Sequence, residues 1–272
     1  MVADELQTGA EDLKDRNFVT ALARGLELLR CFRTGEVSLS NSDFSERTGL
    51  PKATIFRLTH TLCALDYLVA DTRAGTYRLS AGVLHLGFSV LSAIDIGERA
   101  KYEMRQLRDG PNTYITVALG EQHDLDVIYL VTCNSREGVA LSIRIGTRLP
   151  LFDSGMGQAI LVGMHDDARE AVFEIAGRES KQREADGRAR FAEAKSHYED
   201  KGFCTGYGTW RSDVNGIAVP VFSLGGARVY GLNVGGPSFH VKPKQLENTY
   251  APRLIKAGET LSIRSGNDSL GQ

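Results

Sequence analysis

The residues with the clearest chemistry lie in the run Arg47-Thr48-Gly49-Leu50-Pro51-Lys52-Ala53-Thr54-Ile55-Phe56-Arg57-Leu58. From Arg47 to His60 there are three basic side chains and no acidic one. A helix starting after Pro51 presents unpaired backbone amides and the positive end of its dipole near Lys52 and Thr54, an arrangement that suits a phosphate oxygen. One turn further on, the donor fork of Arg57 fits the edge of a guanine. This is chemistry for duplex DNA.

The elements that must position these groups follow from the same stretch. Gly49 can take the left-handed backbone angles of a helix end and Pro51 pre-sets a first helical turn, so the spacing predicts a short helix over 41–47, a tight turn and a second helix. In that second helix Ile55, Leu58, Leu62 and Leu65 share one apolar face, leaving Lys52, Ala53, Phe56, Arg57 and His60 on the other. Downstream, Tyr67-Leu68-Val69 and Tyr77-Arg78-Leu79 alternate as short strands around Asp71-Thr72-Arg73-Ala74-Gly75, a hairpin whose tip carries Arg73. The candidate DNA-contacting set is therefore Lys52, Ala53, Thr54, Phe56, Arg57, His60 and Arg73. The alternative is a helical hairpin and β-hairpin without a ligand, with Phe56 and His60 covered by other protein.

A length of 272 residues suits two domains, and 42% hydrophobic content fills their cores. The net charge of −2 excludes a strongly basic nucleic-acid coat, yet a small reading domain needs only a local positive face. Cys31, Cys63, Cys133 and Cys204 form no Cys-x-x-Cys pair, which argues against a zinc site and a disulfide framework and points to a reducing cytoplasm. His60, His85, His123, His165, His197 and His240 are isolated from one another, so no metal site is expected. No apolar run approaches the roughly 20 residues that span a bilayer, and Asp4, Glu5, Glu11 and Asp12 give the start the opposite character to a signal peptide. A soluble, unexported protein without cofactor or membrane partner is expected.

Along the chain, residues 1–17 read as a flexible tail, and a first helix begins near Val19. After the hairpin come two helices, the first over 81–94, interrupted by Gly87 and Gly97. Strand-like runs follow at 114–119, 126–133 and 139–145. Helices are expected from Ser154 and from Asp166, then a charged helix over 181–201 with a solvated face. Strands return at 206–209, 216–222 and 230–234, where Gly235-Gly236-Pro237 is read as the end of the sheet. A helix over 242–263 closes an α+β domain.

This order resembles the IclR family of bacterial transcriptional regulators, whose first helix carries a run like Ala23-Arg24-Gly25-Leu26-Glu27-Leu28-Leu29. The reading region quoted above is followed by Leu65-Asp66-Tyr67, where the family has a Leu-Gly-Tyr-like element. The likeness runs from about Phe18 to Ser262. It implies a winged helix-turn-helix domain over 18–80, a linker helix over 81–97, a GAF- or PAS-like effector domain over 98–264 and a tail over 265–272. It also implies a homodimer, or a dimer of dimers, on a palindromic operator. The regulator would be a repressor of a catabolic operon, released by a small metabolite.

By the same resemblance the effector sits in a cup. Gly155 and Met156 supply backbone contacts, Leu141, Leu149 and Val214 an apolar wall, and Gly216, Asn233 and Gly235 the floor, with Asp213 in the neighbouring loop. From the residues themselves, Asp153 or Ser154 can cap a helix, and Gly155 with Gly157 lets a ligand approach bare amides. Trp210, Tyr129 and Tyr207 suit a flat molecule, and the class expected is a small carboxylate, lactone or aromatic acid. Equally, these aromatics fill a core. An enzyme reading lacks a marked nucleophile and base or a ligated metal. Its leading form is a cysteine-dependent redox enzyme on a GAF-like domain, using Cys133 or Cys204. A purely architectural winged helix leaves the second domain without a use.

Overall fold

Two separate cores organise the chain, which divides into the units Met1–Ala93 and Ile94–Gln272. The structure is a computed structural model and describes residues 17–33, 35–92, 97–137, 143–223 and 228–262. Apart from Asn17, the expected tails over 1–17 and 265–272 lie outside the described residues.

In the first unit, α1 (Thr20–Arg30) is followed by β1 (Leu39–Ser40), α2 (Asn41–Thr48), α3 (Lys52–Ala64), β2 (Leu68–Asp71), β3 (Thr76–Leu79) and α4 (Ala81–Ser92). Ser40 starts α2 with a reciprocal cap: its hydroxyl accepts from the Asp43 amide at 3.2 Å, and its own amide donates to Asp43 Oδ2 at 2.7 Å. Gly49 ends α2 at φ +68°, as its type predicts. The corner is braced from within. Buried Thr48 donates to the Phe44 carbonyl at 2.7 Å and accepts from the Leu50 amide, while Ser45 donates to the Leu50 carbonyl at 2.9 Å. Leu28, Leu39, Phe44, Leu50, Ile55, Leu62 and Leu68 close the core.

The hairpin β2–β3 pairs Leu68 with Leu79 and Asp71 with Thr76, and β3 also pairs with β1, a two-residue strand too short to read from sequence. Asp71 Oδ1 accepts from the amides of Arg73 and Ala74, and Gly75 turns the chain at φ +66°. Asp66 lies at φ +59°, a left-handed position that explains the glycine of the resembled motif and that aspartate tolerates. Leu65 departs from its predicted place. As the residue after α3, it swings out of the apolar face and is 60% exposed.

The second unit opens with α5 (Gly97–Arg108). A six-stranded antiparallel sheet follows in the order β6-β5-β4-β9-β8-β7, with β4 Thr116–His123, β5 Asp126–Cys133, β6 Arg148–Pro150, β7 Cys204–Tyr207, β8 Val214–Phe222 and β9 Val229–Pro237. One face carries α6 (Gly155–Gly163), with α7 (Asp166–Glu179) and α8 (Lys181–Lys201) packed behind it. On the opposite face lies the closing segment, Pro243–Gln245 (α9), a π-helical turn over Leu246–Tyr250, and α10 (Ala251–Leu261), which packs against α5. The architecture is α+β and GAF-like.

Several boundaries differ from the sequence reading, each for a local reason. Gly235-Gly236-Pro237 does not stop the sheet: Gly235 pairs with Thr116 and Gly216, and Gly236 with Asn215. A side chain on Gly236 would meet the Tyr114 carbonyl at 2.6 Å, so glycine there permits a close approach within the strand. β7 ends two residues early because Gly208 turns at φ +69°. The strand expected over 139–145 falls largely outside the described residues; Ile143 and Arg144 are not in a strand, and the edge strand is β6 instead. The closing helix is not uniform. Pro252 has no amide to donate to the preceding turn, and the chain widens into a π turn ahead of it. The charged helix α8 is not merely solvated, since Gly187 sits on the Phe152 ring and Phe191 and Tyr198 join the core.

Gly157 is the tightest point of this unit, because a Cβ there would run into the Leu151 backbone carbonyl. Gly157→Ala is expected to destabilise the second unit by about 1–3 kcal/mol, seen as a lower urea midpoint by Trp210 fluorescence. Gly87→Ala, where a Cβ meets open space, should not lower stability. An unchanged midpoint in Gly157→Ala would contradict the packing.

Candidate nucleic-acid interface and ligand cleft

The first candidate site is built on α3. Ile55, Thr59 and Leu62 are buried, and Thr59 donates its hydroxyl to the Ile55 carbonyl at 3.0 Å, so this side of the helix is closed. Lys52, Ala53, Phe56, Arg57 and His60 are exposed on the other side, and Thr54 is half-buried. Pro51 stands just ahead of the helix, and its carbonyl accepts from the amides of Thr54 and Ile55. The Lys52 and Ala53 amides precede these bonds and face the positive end of the helix. Lys52 and Arg57 have no side-chain partner among the described residues, and Arg73 is exposed at the hairpin tip.

Arg47 leaves this positive face. Its guanidinium forks onto Glu36 at 2.6 and 2.7 Å and onto the Cys31 carbonyl at 2.5 Å. The Arg47 guanidinium, with the Arg33 amide donating to the same carboxylate at 3.0 Å, holds the Glu36 carboxyl pKa down to about 2. Arg47 therefore ties α2 to the end of α1, and the free cations of the face are Lys52 and Arg57, with Arg73 on the hairpin.

The second candidate site is a small cleft in the other unit, with a cavity volume of about 40 Å³. Strand register sets Gly206, Gly216, Gly235 and Thr116 side by side across β7, β8, β9 and β4, making a bare floor. This floor lets α6 descend onto the sheet: the Gly155 amide nitrogen stands 2.8 Å from where a Cβ of Gly206 would be. Ser154 caps α6 by accepting from the Gly157 amide at 3.0 Å, and the first turn-closing bond after it is Gln158 to Ser154 at 3.0 Å. The Gly155 and Met156 amides precede both bonds, and both residues line the cleft. Gly155 and Gly206 thus make a close chain-on-chain contact, and both line the cleft.

Tyr129, Leu149, Met156, Trp210, Val214, Gly216, Asn233, Gly155 and Gly235 all line this cleft, as do Thr116, Ile143, Ser154, Gly206, Thr209, Asn215 and Gly236. Burial pushes the Tyr129 phenol up, so it stays a neutral donor. Asn233 donates to the Ile217 carbonyl at 3.2 Å. Among the described lining residues none is charged. Trp210 both lines the cleft and packs against the core, so the two readings of it coexist. Leu141 lies outside the described residues.

Two expected members fall elsewhere. Asp213 is held by Arg211 in a two-pronged pair at 2.6 and 2.9 Å, which lowers its carboxyl, and it does not line the cleft. Tyr207 turns its hydroxyl to Glu247 at 3.0 Å. Of the lining residues not foreseen, Gly206 and Thr116 were recoverable only from strand register.

Two family models match this chain: the IclR helix-turn-helix domain over residues 21–72 and the bacterial transcriptional regulator IclR C-terminal domain over residues 88–263. The chain belongs to the IclR family. As an IclR-family protein it is a DNA-binding transcriptional regulator and not an enzyme. It is 32% identical to the HTH-type transcriptional regulator TsaQ1/TsaQ2 of Comamonas testosteroni, over 92% of this chain and 88% of that one. An IclR family transcriptional regulator from Brucella abortus superposes with a TM-score of 0.77 at 38% identity, covering 91% of this chain and 93% of the other. An IclR homolog from Microbacterium hydrocarbonoxydans, solved with 4-hydroxybenzoate, shares the fold with a TM-score of 0.69 at 21% identity, covering 89% and 98%.

The cysteines agree with this assignment. Cys204 is fully buried, and burial pushes its thiol up to about 12; burial also raises Cys133. Burial thus disfavours the thiolate form at both positions. No helix among the described residues is long and apolar enough to cross a membrane.

The division of labour between the two arginines is open to measurement. Arg57→Ala should weaken specific operator binding by about 1–3 kcal/mol with an unchanged melting temperature. Arg47→Ala should lower the melting temperature of the first unit, because it unties Glu36 and the end of α1. Wild-type operator affinity in Arg57→Ala, measured by fluorescence anisotropy, would reject the role of that side chain.

Proposed function

We propose that this regulator works as a homodimer whose two α3 helices read the halves of a palindromic operator, and that a small metabolite in the cleft controls binding. The exposed face of Lys52, Ala53, Thr54, Phe56, Arg57 and His60, with Arg73 on the hairpin, is the DNA contact. Dimerisation is supported by exposed apolar side chains in the first unit: Phe18 and Val19 just before α1 and Leu22 and Leu26 on it are 47–62% exposed, and Leu84, Leu86 and Phe88 on α4 are 52–72% exposed. Pairing of two dimers through the second units makes the tetramer. The protein acts in the cytoplasm, on its DNA.

The observation that carries the ligand reading is the cleft itself. It presents two first-turn amides, polar Ser154, Thr209 and Asn233, an aromatic wall of Trp210 and Tyr129, and no charge among the described lining residues. Such a lining favours a small molecule with one anionic or carbonyl oxygen at the α6 amides and a flat or apolar remainder against the rings. Small carboxylates, lactones and aromatic acids fit this description, and a protein of the same fold was solved with 4-hydroxybenzoate. The ligand controls DNA binding only if it prefers one arrangement of the paired reading helices. We assign the operator to a catabolic operon, repressed until the metabolite arrives.

A panel of such acids and lactones, followed by Trp210 fluorescence and by operator release, tests this directly. At least one compound should change the emission saturably and release the operator. Trp210→Ala should bind the operator normally without ligand and fail to release it when that compound is added. Release that survives the substitution would reject the aromatic wall.

A further inference from the structure

Phe56 has no structural employment. It is 60% exposed, on the open side of α3, while the closed side is filled by Ile55, Thr59 and Leu62. A phenyl ring exposed on the surface gains free energy when an apolar group covers it. Its surroundings say what. Ala53 lies one turn before it and His60 one turn after, Arg57 is adjacent, and α3 from Lys52 to Ala64 contains no acidic residue. The face is thus cationic at its edges with an apolar centre, complementary to a groove walled by phosphates.

In the major groove the one apolar group that a base edge offers is the C5-methyl of thymine. We propose that Phe56, with Ala53 leaving room beside it, reads that methyl, so that each operator half-site carries a thymine next to the base contacted by Arg57. This inference rests on DNA reading by α3 and assigns the chemistry of one position within it. Arg57 addresses a hydrogen-bonding edge and Phe56 a methyl, so the pair discriminates two base steps by different physics. A cytosine at the thymine position lacks the methyl, and uracil removes the methyl while leaving base pairing intact.

Uracil therefore isolates the contact. Full-length protein would be used to select 30-base-pair duplexes from a random pool, and each thymine of the winning duplex would be replaced singly by deoxyuridine. Loss of one methyl contact should weaken wild-type binding about fourfold at one thymine in each half-site and leave the others unaffected. Phe56→Ser, a surface change that leaves the core intact, should bind the thymine duplex more weakly and show no further loss with uracil. Phe56→Leu should retain part of the sensitivity.

Insensitivity at every thymine, with sequence selection intact, would overturn the methyl contact and leave DNA reading by α3 standing. The same uracil loss in Phe56→Ser as in wild type would also overturn it, as would a change in oligomeric mass on substitution, which would make Phe56 a protein contact. Failure to select any sequence would instead remove the DNA reading on which the inference rests.

Discussion

A helix in a small domain can be buried on one side only, and which side α3 buries determines what this protein can touch. Ile55, Thr59 and Leu62 are held against Leu28, Phe44 and Leu68, and the left-handed corner at Gly49 sets where that helix begins. The corner is more than a flexible joint: Thr48 and Ser45 satisfy its backbone groups from inside, so the two helices meet at one angle. Lys52, Phe56 and Arg57 then face outward by necessity. Arg47, on the preceding helix, is taken up by its pairing with Glu36, while Lys52 and Arg57 stand exposed on the outward side.

The second unit solves a different problem with glycine. A helix start can approach a sheet closely only where neither carries side chains, and Gly155, Gly206 and Gly231 clear that space. The approach leaves a cleft between the first turn of α6 and the strand row, with amides at one end and the Asn233 amide group in the floor. The same packing that stabilises the unit thus creates its ligand space. Because Met156 and Tyr129 are also core residues, a molecule entering the cleft touches the packing of α6 directly. This shared lining is the physical link through which the proposed ligand would act on α6.

The first unit was more legible in the sequence than the second. Gly49 and Pro51, the four-residue recurrence in α3 and the tip of the hairpin are local signals, and their reading needed no knowledge of distant residues. Leu65 went astray because apolar spacing continues one residue past the point where the helix ends. Arg47 counts among the basic residues of this stretch but not among the DNA contacts; its pairing with Glu36, eleven residues away, has no local signal in the sequence. In the second unit, α7 and α8 were legible from their periodicity, whereas β6 and the π turn before Pro252 depend on partners and backbone accommodation. Most of the cleft was named through family likeness. The row of Gly206, Gly216 and Gly235 needed strand register, and the pairing of Asp213 with Arg211, outside the cleft lining, needed the structure.

Hydroxyl-radical footprinting of the full-length protein on its selected duplex tests the central claim most directly. Two outward-facing α3 helices in a symmetric dimer predict two protected half-sites on one side of the duplex, with centres one helical turn, about 34 Å, or a multiple of it apart. Even protection along the whole fragment, or protection without a two-fold pattern, would contradict that account.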